Sequence, residues 1–137
     1  MRLWPVTFFP FMPNSQILSQ KREVDLIWKD IAYHKKTNHI LINYIWEYED
    51  YEMQLLSYYN LLYVEFQKRG FKFNWSQLAP QLWGDKLTNK PFAKHHTNDY
   101  LKQCFYNLQE KYQRGQKDFK ENDYLQLELF MRCKGLY

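Results

Sequence analysis

Leu55, Tyr59, Leu62 and Phe66 recur at i, i+4, i+7 and i+11, and Lys68-Arg69-Gly70 follows them directly. That spacing lies on one face only if the chain is α-helical, because each helical turn takes about 3.6 residues. Lys68 and Arg69 put positive charge at the negative end of the helix dipole, and Gly70 supplies the left-handed residue on which such helices close. A helix is therefore expected from about Tyr48 to Arg69. Its apolar stripe needs other stripes to cover it.

Two more are present. Ile17, Val24, Trp28 and Ile31 repeat at helical spacing behind Asn14 or Ser15 as N-cap, which predicts a helix ending at about Ala32 or His34. Leu101, Phe105, Leu108 and Tyr112 form a third stripe, capped by Thr97 or Asn98 and closed at Gly115. Pro5, Pro10 and Pro13 make residues 1–13 an extended arm, since each lacks a donor and turns its predecessor away from helical angles. Phe71 to Lys94, with Pro80, Gly84 and Pro91, reads as a long surface loop.

Two segments stay open. His39 to Tyr48, dense in β-branched and aromatic residues, suits a short strand or buried irregular chain. In Phe119 to Tyr137, Leu125, Leu127 and Leu129 alternate as in a strand, while the composition also permits a short helix. The expectation is an all-α fold: a compact single-domain bundle of about three main helices over residues 1–137, with an extended N-terminal arm and long loops.

A chain of 137 residues suits one domain that buries about two thirds of the surface its unfolded form exposes. The 12 Tyr and 5 Trp mean that many buried rings carry a polar atom in need of a partner. A net charge of +4 favours an anionic partner. Cys104 and Cys133 are too few for a disulfide framework, so reduced thiols are expected. His34, His39, His95 and His96 lack the accompanying ligands that would make a metal site. No apolar run has the length of a membrane span, and the prolines after Trp4 interrupt any signal-like start. The reading is a soluble, cytoplasmic chain, nucleoid-associated when bound to DNA, that keeps its first residue.

On the first predicted helix, Gln16, Gln20 and Glu23 are spaced i, i+4, i+7 and share a polar face opposite the apolar one. Glu23 follows closely on the amino terminus Met1-Arg2-Leu3-Trp4. A primary amine and a carboxylate are the two groups needed to attack a sugar carbon and then break a DNA strand by elimination. An α-amine is intrinsically about two units less basic than a lysine side chain, so more of it is nucleophilic near neutrality.

Taken in order, Met1-Arg2-Leu3-Trp4, the run from Pro13 to Arg22-Glu23, His34-Lys35-Lys36 and the run from Leu55 to Gly70 resemble the pyrimidine-dimer DNA glycosylase family, of the phage endonuclease V type and nearest its bacterial branch. The resemblance covers about residues 1–71. It implies a compact, mostly helical domain whose amino terminus lies beside a glutamate. By that resemblance the α-amine of Met1 is the nucleophile and Glu23 the acid/base and electrostatic partner. Arg2, Arg22 and Lys111 are implied phosphate contacts, with Gln16, Gln20 and Lys21 completing the DNA-binding face and Lys134 a looser match. The pattern departs at Leu26 and Asn107, where the phage enzyme has arginines. Arg2 is too large for ordinary initiator removal, so the amine is expected to be that of Met1 itself.

The activity so implied is a glycosylase with associated apurinic/apyrimidinic lyase activity on damaged double-stranded DNA, by a monomer, with no metal or organic cofactor and no membrane. Two rivals remain: a non-catalytic nucleic-acid-binding module built on basic and aromatic side chains, and a helical interaction protein whose charge is incidental.

Overall fold

In a computed structural model that describes residues 1–36, 39–80 and 86–137, the chain is all-helical. Its α-helices are α1 (Asn14–Ala32), α2 (Tyr51–Arg69), α3 (Asn98–Gln113) and α4 (Glu121–Cys133), with 3-10 helices at Val6–Phe11 and Asn43–Glu47. Among the described residues there is no strand. No helix among them is long and apolar enough to cross a membrane.

The helices end where local chemistry stops them. Gly70 has φ +74, and its N–H donates to Gln67 O while Phe71 N–H donates to Phe66 O, closing α2 in a Schellman motif. Gly115 closes α3 in the same way, through Tyr112 O and Lys111 O. Thr97 caps α3 by accepting from Tyr100 N–H at 3.4 Å. At the start of α1, Asn14 and Ser15 are helical residues rather than the cap. Asn14 Oδ1 instead accepts from Arg69 Nη1 (2.8 Å), and Ser15 N–H is satisfied from across the fold by Asp118 (2.8 Å).

Four expectations are corrected. The arm is not extended throughout, because Val6–Phe11 is a 3-10 helix containing Pro10. The φ that proline imposes suits a 3-10 turn, and burying Leu3, Trp4, Phe8, Phe9 and Met12 holds it in place. Arg69 fastens it from α2 by donating to Phe9 O at 2.6 Å. The second correction is only to the number of main helices: of the two readings left open for the tail the helical one holds, adding a fourth helix whose buried residues Tyr124, Leu127 and Met131 form its stripe and leave Leu125 and Leu129 exposed. Tyr124 stacks on Tyr112 of α3 with centroids 4.1 Å apart.

Third, the segment between Ile42 and Tyr48 is neither strand nor irregular but the 3-10 helix Asn43–Glu47, which buries Tyr44 and Ile45. Finally, the stretch after α2 is a packed cover rather than a surface loop. Phe73 and Trp75 meet the Tyr59 ring edge-on at 4.9 and 4.7 Å, and Phe92 is fully buried at φ +57. Residues 81–85, including the expected loop marker Gly84, lie outside the described residues. One buried cluster draws on all four α-helices and both 3-10 helices.

Candidate active site

The arm crosses the polar face of α1, and its backbone groups there need partners. Gln20 provides two of them: its Oε1 accepts from Trp4 N–H (2.8 Å) and its Nε2 donates to Arg2 O (2.9 Å), while Nε2 also donates to Glu23 Oε2 (3.1 Å). The Tyr58 hydroxyl of α2 lies 2.6 Å from Trp4 O and 2.8 Å from Gln20 Oε1, so its single proton serves both acceptors. Tyr100 of α3 donates to Leu3 O at 2.7 Å. Every carbonyl from Arg2 to Trp4 is thus held by a side chain from a different helix. This clamp fixes where the chain's first residue lies.

It lies beside Glu23. Burial is the largest influence on that carboxyl and raises it above the ordinary carboxylate range. The amino-terminal charge, then Arg22 and then the Arg2 backbone amide pull the other way. The amino-terminal charge is thus near enough to act on this carboxyl electrostatically. On the loop after α1, His39 Nε2 lies 3.3 Å from the Met1 nitrogen. A carboxyl raised by burial is a better proton acceptor than an ordinary surface carboxylate, and once protonated it can return that proton.

The remaining expected residues divide. Arg22 is exposed at the same level as Glu23, its Nη2 donating to Ser19 Oγ (3.0 Å), and Gln16 is half-buried one turn before Gln20. Arg2 turns its guanidinium toward α3, with Nη1 3.5 Å from Cys104 Sγ and the Trp4 ring beneath it. Lys111 lies two turns beyond Cys104 on the same face of α3 and is half-buried. Lys134 packs over the Phe130 ring.

Gln20 and Lys21 are both engaged within the fold. Gln20 is 1% exposed and its amide is fully committed to the clamp. Lys21 donates to Asp25 and to Asn74 O, both at 2.6 Å, and covers the Phe73 ring, joining α1 to the segment after α2. The i, i+4, i+7 spacing gives a shared face without telling whether solvent or the arm covers it. The sequence reading weighs His39 only as a metal ligand and gives the clamp tyrosines no role. Only the general need of buried tyrosine hydroxyls for partners signals the tyrosines.

Behind the clamp lies an aromatic layer. The Tyr44 hydroxyl is 2.6 Å from His96 Nε2, and His96 stacks on Tyr100 at 4.7 Å. Burial drives His96 down to about 3, so its ring is neutral there. Burial also raises the hydroxyls of Tyr44, Tyr58 and Tyr100 and the Cys104 thiol. This layer adds no charge beneath the amine. Among the described residues, no three His, Cys, Asp or Glu side chains gather as metal ligands would. A groove of ≈ 690 Å³ elsewhere carries charges of both signs, Glu47, Glu49 and Asp50 facing Lys90 and Lys94.

A family model described as pyrimidine dimer DNA glycosylase matches residues 1–78. That span holds the arm, α1, His39 and α2, and so all of the clamp except Tyr100. Comparison with curated proteins returns no match, nor does comparison with solved structures.

Proposed function

The chain belongs to the pyrimidine dimer DNA glycosylase family, and from that premise we propose that it excises the damaged base and then cleaves the strand, with the Met1 α-amine as nucleophile and Glu23 as proton carrier. The observations that support this reading are the clamp that fixes the arm on α1 and the electrostatic influence of the amino-terminal charge on the half-buried Glu23 carboxyl. Clamping the arm fixes the amine in advance, which lowers the entropic cost of bringing it to the sugar.

In the first step the amine nitrogen forms a bond to C1′ as the glycosidic bond breaks and its electrons leave with the base. The nitrogen, now cationic, gives a proton to Glu23; the C1′–O4′ bond then breaks, O4′ takes that proton back from Glu23, and the opened sugar is left as a protonated imine. That cation acidifies the C2′ hydrogens. Loss of one of them expels the 3′ phosphate by β-elimination and breaks the strand. Glu23 stabilises the cation and moves the protons, roles worth roughly 10²- to 10⁴-fold. Reaching C1′ requires a nucleotide displaced from the stack, at a cost of a few kcal/mol that a lesion lowers.

Borohydride trapping on an abasic-site duplex tests the proposal. A covalent adduct should form, and mass mapping should place it on Met1. An adduct on an internal lysine would exclude this nucleophile, and no adduct alongside retained DNA binding would favour a non-catalytic module.

How the duplex is held is a separate expectation. Arg2, Arg22 and Lys111 are proposed phosphate contacts, with Gln16 at the edge of the same face. Binding to an uncleavable abasic duplex should weaken linearly in log K against log salt as counterions are released. Arg22→Ala should lower the magnitude of that slope by about one and weaken damaged and undamaged duplexes alike. The same slope for Lys111→Ala as for the unaltered chain would leave α3 without a phosphate contact there.

A further inference from the structure

We infer that His39 holds the Met1 amine in its unprotonated, attacking form by donating a hydrogen bond to it. The inference rests on the amine being the nucleophile, as proposed above. Met1 N lies 3.3 Å from His39 Nε2, and on the other side of the ring the Leu41 N–H donates to His39 Nδ1 at 3.2 Å. A neutral imidazole has one N–H and one bare nitrogen. With an amide proton directed at it, Nδ1 must be the bare one, so the ring's own proton is on Nε2 and faces the amine. An Nε2–H can donate to the lone pair of a neutral amine, but it meets an ammonium donor to donor. The arrangement is consistent with the free base and opposes the cation.

The groups around the amine bear on it in different ways. Glu23 on α1, which the amino-terminal charge and Arg22 both act upon, favours a positive charge at the amine. Arg2 adds a positive charge on the arm and turns toward Cys104 of α3, with Tyr100, its hydroxyl kept neutral by burial, on the same helix. His39 is the group whose hydrogen-bond polarity selects between the two forms of the amine. Attack then needs a rotation about the Met1 N–Cα bond that turns the lone pair from Nε2 to C1′. A proton has to leave the nitrogen only after the N–C1′ bond forms, and Glu23 receives it. His39 is thus a positioning residue, and the backbone amide of Leu41 sets its tautomer.

The test is the pH dependence of borohydride-trapped adduct on an abasic-site duplex between about pH 6 and 9, for the unaltered chain, His39→Ala and His39→Gln. His39→Ala should give about tenfold less adduct than the unaltered chain on the acid side and equal adduct at the alkaline end. His39→Gln restores a side-chain N–H donor and should recover most of the original profile. Circular dichroism shows whether each variant is folded. An unchanged profile for a folded His39→Ala, or an equal loss at every pH, would overturn the role given to His39 and leave the nucleophile in place. Failure of the unaltered chain to form an adduct at any pH would remove the nucleophile, and this role with it.

Discussion

Glu23→Gln is expected to lower strand cleavage at abasic sites at least about 100-fold, while DNA binding persists and the fold becomes more stable at neutral pH. Glutamine keeps the shape and helix propensity of glutamate and can still accept from Gln20 Nε2, so the clamp stays closed. What disappears is the negative charge that stabilises the imine and the group that carries protons. The stability gain follows from the sign of the pKa shift. Burial, the largest cause, raises the folded-state pKa of Glu23, so between the unfolded and folded values the native state binds more protons than the unfolded one. Stability from this group is therefore greatest at acid pH and is lost as pH rises through that window. Glutamine does not titrate, and its pH–stability curve should lack that fall. Cleavage rates and urea midpoints from pH 4 to 8 measure both effects. Near-normal cleavage by the folded variant would make Glu23 structural, and a variant less stable than the unaltered chain at pH 7 would contradict the reading of its burial.

The legible parts of this fold are those in which one helix face meets one layer. Leu55, Tyr59, Leu62 and Phe66 give α2 its buried face, and Gly70 ends it because only a left-handed residue closes that turn. The α3 stripe and Thr97 cap follow the same logic. The illegible parts depend on partners remote in sequence. Tyr100 and Leu3 are 97 residues apart and Tyr58 and Trp4 are 54 apart, separations about which helical periodicity is silent. Gln20 has the right spacing for a polar working face, yet the arm lies on that face. The amide supplies both the donor and the acceptor that the arm's backbone requires. In the tail, Leu125, Leu127 and Leu129 alternate, but the helix is set by Tyr124, Leu127 and Met131, two of which lie outside that alternation.

Because Gln20 joins the arm to α1, Gln20→Leu is expected to have the largest combined effect on stability and activity. Leucine is apolar and slightly smaller, so the loss is mainly of hydrogen bonds. Trp4 N–H loses its acceptor at 2.8 Å and Arg2 O its donor at 2.9 Å, whereas Tyr58 can turn its proton wholly to Trp4 O. An orphaned buried backbone group costs about 1–3 kcal/mol, so two orphans, one of them half-buried, should cost roughly 2–4 kcal/mol. In a chain of this size that lowers Tm on the order of 10 °C. Activity should fall beyond what the unfolded fraction explains, because the released arm no longer presents Met1 to Glu23 at a fixed distance and the gain from positioning is lost. Tyr100→Phe removes the bond to Leu3 O and the hydroxyl's interactions with Tyr44 and Cys104 but leaves the Gln20 amide in place, and should cost less on both counts, about 1–2 kcal/mol. Thermal melts, with cleavage measured well below the lower Tm, separate the two effects. A folded Gln20→Leu chain that cleaves at the original rate would show that the arm is held by its apolar side chains, with the amide incidental to where the amine lies.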